Sequence, residues 1–138
     1  MKITKNYDEQ PVNVRIKIAG LWTSMLFVFA YVDIFAFFRK DILEGALAGK
    51  VGDFDVNQTF LALTTVYILI PCLVLFLTLV LKAKTSRIMN IVISTLYILT
   101  IIGAAAEETW TYYLLGSAVE VILLAAIIRF SIKWPKNN

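Results

Sequence analysis

The stretch TFLALTTVYILIPCLVLFLTLVL, residues 59–81, contains no charged side chain. A helix needs roughly 20 apolar residues to cross the ~30 Å hydrocarbon core of a bilayer, so this run is predicted to span a membrane. Three further stretches have comparable length and apolarity: Ile18–Phe38, Ile88–Ala106 and Trp110–Phe130. The sequence therefore predicts an all-α integral membrane four-helix bundle, with residues 1–138 forming a single membrane domain.

The composition agrees with this fold class. Hydrophobic residues make up 59% of the chain and charged residues 17%, with a mean hydropathy of +0.77. A soluble domain has about 45–50% apolar and about 25% charged residues. Residues 1–17 are polar and mixed in charge, and no small-residue cleavage site follows the first apolar run, so that run is expected to be a retained span rather than a signal peptide.

Basic residues are unevenly distributed among the connections. Ten of the 13 lie on one predicted side of the membrane: Lys2, Lys5, Arg15, Lys17, Lys82, Lys84, Arg87, Arg129, Lys133 and Lys136. The other side has only Arg39, Lys40 and Lys50, together with most of the acids: Asp41, Glu44, Asp53, Asp55, Glu107 and Glu108. The positive-inside rule places both termini in the cytoplasm, which agrees with an even number of spans.

The long connection between the first two spans has its own local signals. DILEGALAGK, residues 41–50, is mildly amphipathic and predicts a short surface helix ending at Gly49. Asp55 with Gln58 three positions later is interpreted as an N-cap that opens the second span, and capping is favoured over calcium binding by Asp53 and Asp55.

Two further predictions concern the membrane boundaries. The segment PVNVRIKI is predicted to enter the membrane as a helix that begins near Pro11. Trp22 and Trp134 are expected to lie at the cytoplasmic interface and Trp110 at the external one, because amphipathic rings prefer the headgroup level.

Residue counts exclude several kinds of chemistry. Cys72 is the only cysteine and there is no histidine, which excludes an internal disulfide, a CxxC redox pair and the usual haem and zinc sites. No cofactor or metal is expected. The net charge of +3 is explained by membrane topology, so the expected partner is membrane lipid and no nucleic acid is expected.

Two carboxylates lie inside the predicted spans. Asp33 is about 8 Å below the outer end of the first span, and Glu120 is roughly 15 Å deep in the fourth, near the midplane. No lysine or arginine lies at either depth. Since a charge there costs a few kcal/mol, both side chains are expected to face protein or water. One alternative is that Asp33 reaches outward and pairs with Arg39 or Lys40.

Tyrosines at similar depths suggest a pocket around these acids. Tyr113 and Glu120 share one stripe of the fourth span, and Tyr67 and Tyr97 lie at comparable depth in the second and third. We predict a ligand-binding pocket in the outer half of the bundle formed by Asp33, Tyr67, Tyr97, Tyr113 and Glu120.

Other residues near this level have predicted packing roles. Gly116 leaves space above the Glu120 carboxylate for a helix or a ligand. Pro71 removes the hydrogen bond to the carbonyl of Tyr67, which predicts a kink and an exposed acceptor. Asn90 is interpreted as an interhelical hydrogen-bonding residue.

Four segments resemble one known family: YVDIFAFF at 31–38, YILIPCLVLFL at 67–77, RIMNIV at 87–92 and YYLLGSAVEVILLAAIIRFSIKWP at 112–135. The chain resembles small four-span bacterial membrane proteins catalogued as a domain of unknown function, with a DoxX-like layout. The positions that match are Asp33, Pro71, Asn90, Glu120 and Trp134. The resemblance implies a multi-pass protein of the bacterial inner membrane. Its members often have another acid before the proline of the second span, where this chain has Leu69 and Ile70.

Three hypotheses for function follow. The first is binding or transport of a small cationic or lipophilic ligand, or of a proton, by the two acids and the tyrosines. Transport is expected to need a homodimer, because four short spans leave little room for an aqueous pathway. The second is a structural or assembly subunit whose acids only fix helix register. The third is a lipid- or quinone-modifying enzyme that uses a carboxyl group as general acid or base.

Overall fold

A computed structural model describes residues 9–136 of the chain, and Lys2, Lys5 and Asp8 of the predicted cytoplasmic tail lie outside that range. Five helices and one short hairpin are present in this part. The elements are α1 Val14–Ala36, α2 Lys40–Leu47, β1 Lys50–Val51, β2 Phe54–Asp55, α3 Gln58–Val80, α4 Ala83–Ala105 and α5 Thr111–Ile132. Helices α1, α3, α4 and α5 are each long and apolar enough to cross a membrane. The predicted four-span architecture is confirmed.

Asparagine side chains cap two of the spanning helices. Asn13 accepts a hydrogen bond from the backbone N–H of Arg15 at 2.9 Å, and Asn57 accepts one from Phe60 at 2.9 Å. Each satisfies a donor that the first helical turn leaves without an intrahelical partner. The predicted helix start near Pro11 and the predicted Asp55 cap are therefore wrong by three and two residues, since α1 begins at Val14 after Asn13 and α3 is capped by Asn57.

The connection between α1 and α3 folds compactly through two glycines. Helix α2 forms as predicted but ends at Leu47, and Gly49 follows with φ +74°. The hairpin pairs Lys50 with Asp55, and Gly52 in its turn has φ +56°. Only glycine adopts these left-handed conformations without a steric cost.

Helix α5 lies between α1 and α4, and α3 packs mainly against α1 with a smaller contact to α4. We call the end where α1 begins, α5 ends and α3 turns into α4 the basic end, and the opposite end the acidic end. The core is concentrated in the basic half, around the fully buried side chains of Ile18, Trp22, Leu124 and Ile127. Trp22 is 0% exposed, so its side chain contacts protein rather than lipid headgroups and does not act as the predicted interfacial anchor.

A buried polar network joins three helices in the basic half. The indole N–H of Trp22 donates to Asn90 Oδ1 at 2.7 Å. Asn90 Nδ2 donates to the carbonyl of Ser86 at 2.8 Å and to the hydroxyl of Thr78 at 3.0 Å. The predicted interhelical role of Asn90 is confirmed, and the network links α1, α3 and α4 through fully buried side chains.

Arginines complete the packing at the basic end. Arg15 donates from Nη1 to the carbonyls of Thr78 (2.7 Å) and Leu81 (2.6 Å), so it satisfies unpaired acceptors at the end of α3. Its guanidinium lies over the ring of Trp134, 5.2 Å from the centroid. Arg87 donates to the carbonyl of Ser131 at 2.9 Å and joins α4 to α5.

The acidic half is packed less completely, and helix α3 accounts for the difference. The buried residues of α3 are Pro71, Val74 and Thr78, all in its second half. No residue of its first half, positions 58–66, is buried. The first half of α3 therefore leaves part of the bundle interior uncovered near the acidic end.

Gly116 lies in close contact with α1. A Cβ atom added there would overlap the Cγ2 methyl of Val32, whereas one added at Gly103 of α4 would meet no atom within 4 Å. The space predicted above Glu120 is thus occupied by α1 rather than by a ligand.

Replacing Gly116 with alanine is expected to lower the free energy of unfolding by about 1–3 kcal/mol, because the β-branched Val32 must shift within a packed interface. Gly103→Ala is the matched control and should be neutral or slightly stabilising, since alanine is the better helix former by roughly 1 kcal/mol. Unfolding of both variants in mixed detergent measures the difference. Equal stabilities would contradict the close α1–α5 contact.

Candidate functional site

A cavity of about 270 Å³ lies between the four long helices in the acidic half. At ~30 Å³ for each water in the liquid, it has room for about nine water molecules or for a small organic group. All four helices contribute to its wall. The lining residues are Phe29, Val32, Asp33, Tyr67, Thr100, Ile101, Ala104, Tyr113, Ser117 and Glu120.

Two carboxylates share this cavity. Glu120 is 3% exposed, nine residues into α5, and so roughly 14 Å from the acidic end. Asp33 is exposed and lies closer to that end. Within residues 9–136 neither carboxylate has a hydrogen bond or an ion pair, and no basic residue lines the cavity. The cavity is therefore acidic without an internal counter-charge.

The nearest basic side chains are engaged elsewhere. Arg39 donates to Asp41 at 2.6 Å and to Glu108 at 2.8 Å, and its guanidinium lies 4.5 Å from the centroid of the Trp110 ring. Lys40 is 3.6 Å from Glu44 on α2. The alternative that Asp33 pairs with Arg39 or Lys40 is therefore wrong in this structure.

The cluster that Arg39 forms with Asp41 and Glu108 also changes the pKa values of these two carboxyl groups. Burial alone would raise the pKa of Glu108, but hydrogen bonds from Arg39 and from the backbone N–H groups of Trp110 and Thr109 outweigh it and lower that pKa. The hydrogen bond from Arg39 likewise lowers the pKa of Asp41. Carboxylates with lowered folded-state pKa values stabilise the fold above their unfolded pKa, and this stabilisation is lost as the pH falls through the folded pKa.

We therefore expect the cluster to stabilise the protein at pH 7, to begin to lose this effect below the ordinary carboxyl pKa of about 4, and to lose it fully only as the pH falls through the lowered pKa values. Asp41 is largely exposed, so most of the effect comes from Glu108. Arg39→Gln should lower the melting temperature at pH 7 and have much less effect at about pH 2, where both carboxyl groups are protonated in the folded protein. Thermal unfolding of the two proteins at both pH values gives the difference, and a pH-independent effect of Arg39→Gln would count against the pairing.

A carbonyl group left free by the proline of α3 forms a hydrogen bond to α4 just below the cavity. Pro71 leaves the carbonyl of Tyr67 without its helical partner, and the hydroxyl of Tyr97 donates to that carbonyl. The Thr100 hydroxyl donates to the carbonyl of Tyr97 at 2.9 Å, so the Tyr67 hydroxyl is the donor in its 2.7 Å bond to Thr100. The predicted exposed acceptor is thus satisfied by a neighbouring helix.

Tyr97 has a different position from the other predicted site residues. It does not line the cavity; its ring stacks on that of Tyr67 at 4.7 Å and meets Trp22 edge-on at 6.4 Å. Asp33, Tyr67, Tyr113 and Glu120 do share the cavity wall. Any contribution of Tyr97 to binding would therefore pass through Tyr67.

The cavity is closed toward the basic end. Beneath it, the space between α1, α3 and α4 next to Met25, Pro71 and Tyr97 is too small for a water molecule. Farther down lie the fully buried Trp22 and Leu124. The cavity is consequently a pocket that ends near the middle of the bundle.

Three lining residues of α4 were missed in the sequence: Thr100, Ile101 and Ala104. They follow Tyr97 at intervals of three, four and seven residues and so lie along the same side of the helix. This spacing could have identified them once Tyr97 was taken to face inward. Over residues 9–136, no three side chains of cysteine, aspartate or glutamate are grouped as metal ligands would be.

The whole chain, residues 1–138, matches the family described as "Family of unknown function (DUF6326)". The chain belongs to this family. No curated protein and no solved structure gives a match. Membership in DUF6326 agrees with the resemblance found in the sequence, and the four long apolar helices make the chain a multi-pass membrane protein.

Proposed function

We propose that this protein binds a small cationic ligand in the cavity between its four long helices. The observation that carries the proposal is the presence of Asp33 and Glu120 in one pocket without any basic side chain. A carboxylate in such surroundings is costly unless a cation or water compensates it. A bound cation would supply the missing counter-charge for both acids.

The remaining lining residues suit an organic cation. Phe29, Tyr67 and Tyr113 bring three aromatic rings to the cavity wall. Contact between a cation and an aromatic face contributes about 0.5–2 kcal/mol, and more when the cation is desolvated. The hydroxyls of Thr100 and Ser117 add further polar contacts. An ammonium group with a few carbon atoms fits the volume.

Binding is favoured over transport by a single copy, because the pocket is closed beneath Tyr67 and Tyr97. Transport would require a homodimer or a second conformation. The basic residues of the connections support an orientation with both termini in the cytoplasm, and the bacterial inner membrane is the proposed location.

Matched pairs of compounds test the proposed binding. Tetramethylammonium and its uncharged isostere neopentane have nearly the same shape and differ in charge. We expect the purified protein in nanodiscs to bind the cation and not the neutral compound, with the preference removed in the double variant Asp33→Asn, Glu120→Gln. Equal binding of the two compounds, or a preference that survives in the double variant, would support a purely structural role for the acids.

A further inference from the structure

From the position of the cavity's opening, we infer that the ligand is a single-chain amphiphilic cation that enters from the membrane with its head in the cavity and its hydrocarbon tail outside. This inference rests on the proposed function and specifies the class of ligand. It depends on where the opening lies and on what surrounds it.

The opening is defined by the lining residues that remain exposed: Asp33 of α1, and Thr100 and Ala104 of α4. Asp33 is three residues from the end of α1, and Thr100 is five residues from the end of α4. At 1.5 Å per residue these positions are roughly 5 and 8 Å from the acidic end. Because Thr100 is exposed at this depth, the opening extends down the side of the bundle.

The first half of α3 explains why the side is open. Positions 58–66 bury no residue, so this segment does not close the interior between α1 and α4. Its exposed side chains include Leu61, Leu63 and Val66, which are suited to contact with lipid. The opening is therefore bordered by a helix segment whose apolar side chains are suited to contact with lipid chains.

The arrangement of charge fits a ligand with one polar end. Asp33 lies at the opening and Glu120 lies deeper, so a cationic head meets a carboxylate at both stages of entry. The cavity of about 270 Å³ has space for the head and not for a long chain. A tail attached to that head must leave through the opening, where lipid chains and the apolar side chains of α3 surround it.

A chain-length series tests the inference. Tetramethylammonium, hexyltrimethylammonium and dodecyltrimethylammonium carry the same head, and their binding to the protein in nanodiscs is measured against free aqueous concentration. We expect the affinity to rise by about fourfold for each added methylene, because the tail stays in hydrocarbon in the bound complex. Glu120→Gln should lower the affinity of every member at least tenfold.

The outcomes separate the two proposals. If affinity falls once the chain exceeds what the cavity can hold, the cavity is closed to the membrane and the inference is overturned, while the proposed function stands. If no member binds in a Glu120-dependent manner, both are overturned.

A bulky residue at the opening gives an independent test. Ala104→Trp should lower the affinity for dodecyltrimethylammonium at least tenfold more than the affinity for tetramethylammonium, because the indole occupies the exit of the tail. Ala125→Trp, at an exposed position of α5 in the basic half, is the matched control and should change neither. Equal losses for the long and short cations, or no loss for either, would contradict a tail at this opening.

Discussion

Replacing Glu120 with glutamine is expected to lower the affinity for a cationic ligand by about 10- to 100-fold, and at the same time to make the unliganded protein more stable. Both effects have one cause. The carboxylate is 3% exposed and has no hydrogen-bond or ion-pair partner among residues 9–136. It therefore lowers the stability of the unliganded protein, and a bound cation compensates its charge. An interaction with a charged group contributes about 1.5–3 kcal/mol, which corresponds to the expected loss of affinity.

The gain in stability is expected to be about 1–3 kcal/mol, since an amide of the same shape is much less costly than a carboxylate inside a membrane protein. Ligand titration and unfolding in mixed detergent, performed on the same preparations, measure the two effects. Glu107→Gln is the matched control, because Glu107 is exposed and lies outside the cavity. It should leave affinity and stability unchanged.

Opposite changes in affinity and stability distinguish a binding residue from a structural one. If Glu120 only fixed the register of α5, Glu120→Gln would destabilise the bundle or leave it unchanged, and no cation would bind more tightly to the wild type. A variant that is both less stable and unaltered in ligand affinity would therefore remove the basis of the proposed function.

The second large effect is expected at the network in the basic half. Asn90→Ala should lower the free energy of unfolding by about 2–3 kcal/mol. The substitution removes the acceptor of the Trp22 indole N–H and the donor to the carbonyl of Ser86, and it leaves a buried N–H without a partner. A buried polar group that loses its hydrogen-bond partner gains no compensating bond to water, so the full free-energy cost of the lost bond remains.

A double-mutant cycle with Trp22→Phe isolates the hydrogen bond from the packing of the ring. Phenylalanine keeps an aromatic side chain and removes the donor, so Asn90→Ala should cost clearly less in the Trp22→Phe background. Additive effects in the cycle would show that the two side chains act independently. Since the network lies in the basic half, away from the cavity, ligand affinity should be unchanged in all variants that fold.

Several features of this protein could be predicted because they depend on local sequence alone. The length of an apolar run decides whether a helix can cross a bilayer, so the four spans were found to within a few residues. The missing N–H of Pro71 follows from covalent structure, and so does the free carbonyl of Tyr67. The isolation of Glu120 from basic residues could be read from the composition of the spans, whereas the pairing of Asp33 with Arg39 or Lys40 was decided by the structure, in which both cations contact other acids.

The helix boundaries and the interface residues were less predictable. Trp22 was expected to lie at the membrane interface because of its place near the start of a span, yet its indole N–H bonds to Asn90 in the core. Asp55 fits the pattern of an N-cap, but its strand pairing with Lys50 leaves the role to Asn57. In both cases a partner distant in sequence, or a competing local structure, determined the outcome.

By itself the sequence determined a four-span membrane protein with two acids at membrane depth, because these properties require only chain length, residue type and the thickness of a bilayer. Asp33 and Glu120 indicated the inward sides of α1 and α5, but the inward side of α3 was decided by the tertiary structure alone. Helix α3 is apolar on all sides, so periodicity does not distinguish a core stripe from a lipid-facing one. Packing against neighbouring helices placed Val32 over Gly116, paired Arg39 with Glu108, and left α3 apart from the bundle where the cavity opens.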